Sequence, residues 1–314
     1  SISAHFFREA MFLSSSSRLI EETLCNLKIS SSGNAEAVDI KAYEFDDVSY
    51  RIVVLPSERN IITVSLRAPC FSILKENGAE EDVREAFGDF VRSPEEGFDV
   101  SLQIDLTTSS ITDEKLRERL GSLKRIVFGA PFKRAFDALL SDRTLPIEHI
   151  IIPFRQDEFI YIRPAGGGDD RVLVIYSLRF MDKDDASLAR VFLQEFSEMQ
   201  RQPDLRQVPN FRFDNKPPPE LKGVPVNETD VGMFVTFTVI KRNLENGKEE
   251  RVISLLQDFR TYIFYHVKCS KAYLHSRMRT RFSSYLQALT RAKVDKGGMS
   301  SKGIPHYSGH LTFH

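Results

Sequence analysis

The sequence predicts an α+β fold: two tandem, similarly built domains, each an antiparallel sheet covered by helices, followed by a long C-terminal helix. Three observations carry this expectation. One order of patterns (helix, three strands, helix, strand, helix) occurs twice along the 314 residues. In each copy the first three strand patterns are separated by tight-turn residues, which favours antiparallel neighbours. From about Glu250 to Ala292 the chain then holds a proline-free amphipathic pattern, roughly 60 Å long at 1.5 Å per residue and about twice the diameter of a small domain.

The first copy opens with a helix over Arg18–Leu27, where Leu19, Ile20, Thr23, Leu24 and Leu27 share a face and the preceding serines offer an N-cap. Three alternating stretches follow, Val38–Phe45, Tyr50–Val54 and Ile62–Leu66, separated by the Asp46-Asp47 and Ser57–Asn60 turns. Phe71, Leu74, Val83, Ala86, Phe87 and Phe90 then change the period to a helical one, broken at Asn77-Gly78 and ended near Ser93-Pro94. Phe98–Leu106 reads as a strand, and Thr112-Asp113 as the cap of the next helix. In the second copy Lys124–Leu140 is the opening helix, which Gly129 and Pro131 should kink or delay. A meander of His149–Phe154, Glu158–Arg163 and Arg171–Leu178 follows, turning at Gln156-Asp157 and at Gly166–Asp170. The helix Asp185–Met199 starts at the acidic cluster Asp182, Asp184 and Asp185, which suits a positive helix N-terminus. After a proline-rich connection with a short strand around Val208–Phe213, the strand Val231–Lys241 leads into the long helix. The expected domains are 18–123 and 124–249, with the helix 250–293 belonging to the second, between flexible ends at 1–17 and 294–314.

Composition excludes several classes. At 41% hydrophobic with net charge −1, the chain reads as a soluble two-domain protein. No stretch approaches the apolar length of a membrane span, and the N-terminus lacks a signal-peptide core. Cys25, Cys70 and Cys269 are scattered and odd in number, which predicts reduced, packed thiols in the cytosol. Phosphate-binding loops, the dinucleotide fingerprint and the H-E-x-x-H motif are absent, and the 166–168 glycines sit between strands rather than before a helix. His266 and Cys269 are one turn apart, but His275 lies about 180° around from His266 at 100° per residue, so the three do not converge on a metal. The expected roles there are a half-buried imidazole and a packed thiol. Asp182–Asp185 lacks the spacing of a calcium loop. No enzymatic activity, cofactor or metal is expected.

The long helix is the functional candidate. Val252, Leu255, Leu256, Phe259, Ile263, Val267, Leu274, Met278, Phe282, Leu286 and Leu289 form one stripe, too long for its own domain to cover. Met278, Phe282, Leu286 and Leu289 should therefore pack on a partner. Between Arg260 and Lys293 there are eight Lys or Arg residues and no Asp or Glu, whereas Glu245, Glu249 and Glu250 sit at the helix start and complement its dipole. An exposed helix normally mixes its signs. Lys268, Lys271, Arg277, Arg279 and Arg281 thus predict contact with something acidic: nucleic acid, anionic membrane or an acidic protein surface. The interleaved tyrosines favour protein.

The run FRTYIFYHVKCSKAYLHSRMR, residues 259–279, resembles the C-terminal helix of the 34-kilodalton subunit family of the Arp2/3 complex, the actin-filament nucleator. RLIEETL at 18–24, Pro94–Gly97 with Asp99–Asp105, Leu123-Lys124-Arg125, VFLQEF at 191–196 and Pro218–Lys222 fall in family order, so the likeness runs roughly from Met11 to Asp295. The chain departs from the animal pattern in its first ten residues, at Gly129–Pro131 and after Asp295. The resemblance implies two α/β domains and a long helix packed on the 20-kilodalton subunit. It also implies a cytoplasmic, non-enzymatic core that holds the two actin-related subunits and grips the side of an actin filament. On that reading the five cations contact actin or neighbouring subunits, and neither nucleic acid binding nor membrane insertion is expected.

Overall fold

The computed structural model describes residues 16–291 except 31–33, 45–46, 109–112, 156, 167, 169, 201–207, 228 and 230. Most of the expected N-terminal extension, the tail, Thr112, Gln156 and part of the connection after Met199 lie outside the described residues. The chain forms one unit up to Lys268 and a second from Cys269 onward.

Helix α1 (Arg18–Asn26) precedes strands β1 (Val38–Tyr43), β2 (Ser49–Val54) and β3 (Ile61–Arg67). Helices α2 (Phe71–Glu76) and α3 (Ala79–Phe87), a short strand β4 (Val91–Arg92), strand β5 (Val100–Asp105) and helix α4 (Glu114–Gly121) complete the first set. The strands form a five-stranded antiparallel sheet in the order β1-β2-β3-β5-β4. Its register puts Ile52 opposite Val64 and Val64 opposite Leu102, so alternate residues of three strands build one buried apolar face.

The second set is helix α5 (Leu123–Leu140), strands β6 (Ile150–Arg155), β7 (Glu158–Arg163) and β8 (Arg171–Arg179), helix α6 (Lys183–Met199), and strands β9 (Asn210–Asp214) and β10 (Gly232–Ile240). A short helix α7 (Lys241–Leu244) and the long helix α8 (Glu249–Arg291) close it. The sheet order β6-β7-β8-β10-β9 repeats that of the first sheet. Tyr161, Ile175, Phe234 and Leu221 form a small separate cluster under the loop that follows Pro218, where the Tyr161 hydroxyl donates to the Pro225 carbonyl at 3.1 Å. The main core is continuous through both sets, because α5 of the second lies on α3 of the first. There Lys133 Nζ donates to Asp82 at 2.6 Å and Glu85 at 3.1 Å, and these carboxylates push its pKa up, Asp82 most.

Several local expectations change. Helix α3 ends at Phe87, a single 3-10 turn over Gly88–Phe90, with Gly88 at φ 51°, extends the helical region, and the chain enters β4 before Ser93. Helix α5 is neither delayed nor split by Pro131, which is buried within it. Gly129 has a packing reason: a Cβ there would lie 3.1 Å from Gln257 Nε2 and 3.2 Å from Ile253 Cγ2, so its absence lets α8 lie close. Ser17 occupies the N-cap position of α1, yet its hydroxyl bonds the Glu44 carboxylate at 3.2 Å rather than a helix amide. Asp113 and Asp182 cap as expected, accepting from the amides of Lys115 and Asp185. Among the cysteines only Cys70 is packed; Cys25 and Cys269 are exposed.

The quoted landmarks acquire structural duties. Glu95 accepts from Ser65 Oγ at 2.7 Å while its own amide donates to Ser101 Oγ at 2.9 Å, which ties the loop after β4 to β3 and β5. Asp99 accepts from the Ala68 amide at 2.7 Å. Lys124 pairs with Glu44 of the first set, and the Arg125 carbonyl accepts from Gln257 of α8 at 2.9 Å.

Candidate partner-binding surface on the long helix

Up to Lys268, α8 is held by its apolar face and, besides Gln257 and Glu250, which meet Arg125, by three further polar anchors. Val252, Ile253, Leu256, Phe259, Ile263 and Val267 are buried. Phe259 meets Tyr176 at 5.2 Å and the edge of Phe237 at 4.7 Å, while Phe264 stacks on Phe180 at 4.8 Å. The Tyr176 hydroxyl donates to the Leu256 carbonyl at 2.5 Å, and burial pushes its pKa well up.

The second anchor is Arg260. It begins the acid-free stretch, but it is not a solvent cation. Its Nε donates to Glu158 Oε2 at 2.7 Å with the two side chains 8% and 5% exposed, and its guanidinium lies 3.9 Å from the centre of the Phe264 ring. The other Glu158 oxygen accepts the Arg179 amide at 2.9 Å, so the carboxylate is served on both sides. The third anchor is Lys268, whose ammonium pairs with Asp185, a carboxylate only 2% exposed at the start of α6. Asp182 of the acidic cluster therefore caps a helix, and Asp185 fixes the long one. His266 is half-buried, stacked on Phe192 at 5.6 Å. Cys269 is exposed rather than packed, and among the described residues no group of His, Cys, Asp and Glu is arranged to hold a metal.

Sequence reasoning missed Arg260, Glu158 and Asp185. A signal was present: Arg260 sits between Phe259 and Ile263 at helical spacing, and Glu158 opens the strand just before the apolar run Phe159–Ile162.

Glu249 lies in the first turn of α8, as expected for a residue that complements the helix dipole. Its Oε1 is buried without a hydrogen bond, and burial, followed by repulsion from Asp137, raises its pKa. Between the ordinary carboxylate pKa and that raised value the folded chain holds the extra proton, so stability falls as pH rises through this window. Glu249→Gln should therefore raise the melting temperature at neutral pH and lose that advantage below about pH 4. Melting both proteins at the two pH values checks the sign.

From Cys269 to Arg291 the helix continues with no buried residue. Met278 is 66% exposed, Phe282 64%, Leu286 47% and Leu289 48%. At 100° per residue Met278, Leu286 and Leu289 lie within about 40° of Phe282. They form a narrow apolar line with Lys271 on it and Arg279 about 60° to one side. Arg277 and Arg281 lie behind, about 140° and 100° away, and Arg277 sits 5.8 Å over the Tyr273 ring. The five candidate cations are thus not one patch. Lys268 is held within the chain, Lys271 continues the line of the stripe, Arg279 borders it, and Arg277 and Arg281 face away from it.

The sequence model of the family described as Arp2/3 complex, 34 kD subunit p34-Arc matches residues 64–296. The chain is a member of the p34-Arc family. Actin-related protein 2/3 complex subunit 2 of Schizosaccharomyces pombe is 33% identical over 288 residues, covering 84% of this chain and 89% of that relative. The Dictyostelium discoideum protein of the same name is 35% identical over 258 residues, covering 80% and 84%. Nothing in these matches supports a nucleic-acid or anionic-membrane scaffold, and no helix among the described residues is long and apolar enough to cross a membrane.

Proposed function

We propose that this chain is a non-enzymatic scaffold of an Arp2/3 complex in the cytoplasmic actin cytoskeleton, and that its long helix joins it to the assembly. The two sheets are read as two domains, 18–123 and 124–249, with 250–293 attached to the second. Family membership supports the assembly. The observation that carries the role of the helix is the exposed apolar line at Met278, Phe282, Leu286 and Leu289 on a segment in which no residue is buried, whereas the apolar residues of the same helix as far as Val267 are buried. An apolar line of that length on a helix otherwise rich in cations suits a second protein with an apolar groove and acidic rims. By family likeness we assign the groove to the 20-kilodalton subunit. Lys271, which continues the line, and Arg279, which borders it, would pair with acidic rims of neighbouring subunits. Arg277 and Arg281 are left for the filament or an actin-related subunit.

The two groups of cations separate by experiment. Arg277→Glu with Arg281→Glu should leave the complex intact and weaken filament binding, most strongly at low salt, because exposed charges act over a Debye length of about 10 Å at 0.1 M. Lys271→Glu with Arg279→Glu should instead loosen assembly. Co-sedimentation with filaments and size-exclusion chromatography read the two effects. If all four reversals assemble and bind filaments as the parent does, the basic face is only solvated surface.

A further inference from the structure

The distal helix carries a sequence pattern that partner packing uses only in part, through Phe282 in the stripe and Arg279 at its border. In Arg279-Thr280-Arg281-Phe282-Ser283-Ser284, arginines stand five and three residues before Ser284. Kinases that select basic substrates read guanidinium groups at those two offsets through acidic subsites. Thr280 has an arginine at only one of the two offsets, with His275 at the other, and Ser283 has one at neither. Ser284 is exposed, and it lies about 200° around the helix from Phe282, on the side of Arg277 and Arg281. We propose that Ser284 is a phosphoacceptor for a basic-directed serine/threonine kinase, and that the phosphate sits on the face opposite the apolar stripe.

In the transfer the Ser284 Oγ attacks the γ-phosphorus of MgATP. The new Oγ–P bond forms as the bond to the β,γ-bridging oxygen breaks, ADP leaves, and the hydroxyl proton passes to the kinase's base. The serine must leave the helix to enter a kinase cleft, and the local structure permits this. Between Cys269 and Arg291 no side chain is buried, so opening the last turns breaks mainly solvated backbone bonds. Hydroxyls also bond backwards to carbonyls four residues earlier, Ser284 to Thr280 at 3.0 Å and Thr280 to Ser276 at 3.0 Å. Such bonds compete with the helix ladder. Once the helix re-forms, a phosphate of about −1.5 to −2 charge stands one turn from Arg281 and in line with Arg277, and it removes much of the positive charge of that face.

The full chain at high dilution, incubated with the catalytic domain of a basic-directed kinase and MgATP, should take up phosphate at Ser284, located by mass spectrometry. Ser284→Ala should abolish uptake, and Arg279→Ala and Arg281→Ala should each lower kcat/KM at least tenfold. Uptake surviving in Ser284→Ala, or falling on Thr280 or Ser283 in the parent chain, overturns the assignment. So does absence of uptake while a control peptide is modified. Placement on the outward face has its own test: Ser284→Glu should co-purify with the partner subunits as well as the parent, and loss of co-purification would put Ser284 in the packed face. Phe282→Glu co-purifying normally would sink the partner-stripe reading instead and leave the phosphoacceptor untouched.

Discussion

Replacing Glu158 with alanine while Arg260 remains is expected to cost about 3–5 kcal/mol, because it abandons a buried cation. The guanidinium keeps its contact with Phe264 but loses its carboxylate, and the Arg179 amide loses its acceptor as well. The pair ties α8 to the first residue of β7, so the loss should appear as lower cooperativity of the long helix as well as lower global stability. Replacing both partners together, Glu158→Leu with Arg260→Met, should recover most of the loss, since the apolar surroundings then match. Thermal unfolding of the chain co-expressed with its partner subunit measures both. A single mutant within about 1 kcal/mol of the parent would mean that water reaches the pair.

The second large effect belongs to the stripe. Each of Met278, Phe282, Leu286 and Leu289 contributes about 1.5–3 kcal/mol when buried. Exchanging Phe282 and Leu286 together for glutamate should therefore weaken partner binding by at least two to four orders of magnitude, roughly 3–6 kcal/mol before the cost of burying charge is added. In the isolated chain the same exchange should act oppositely and reduce aggregation, because it removes an exposed apolar line. A lone parent chain that is monomeric and soluble, with affinity for the partner unchanged by the double exchange, would contradict this role.

Much of the architecture was legible because period and turn chemistry agree. Burial alternates along β6 and over the first residues of β2 and β3, β8 is a continuous buried run set off by its flanking turn residues, and apolar spacings of three and four recur along α8. What escaped has physical reasons. Strand β4 is two residues long and exists only through its pairing with Leu102 and Ser101, which no local pattern encodes. Pro131 reads as a kink or a delayed start, yet the helix begins at Leu123 and runs through it, with the proline buried. Helical spacing spreads the cations around the helix, but charge along a sequence does not reveal depth. Arg260 is buried on Glu158, Lys268 is drawn to Asp185, and only from Lys271 onward do the cations belong to the exposed segment. The exposed apolar residues were the most readable part of the candidate site, since a stripe that outruns its own domain is visible from spacing alone.

The most direct test is to purify the tagged full chain from cytosol at moderate salt and weigh what accompanies it. A stoichiometric assembly containing two actin-related proteins and one further small subunit whose retention is lost on Phe282→Glu with Leu286→Glu is the predicted result. Recovery of the chain alone, or retention of every companion in that double variant, would contradict the account.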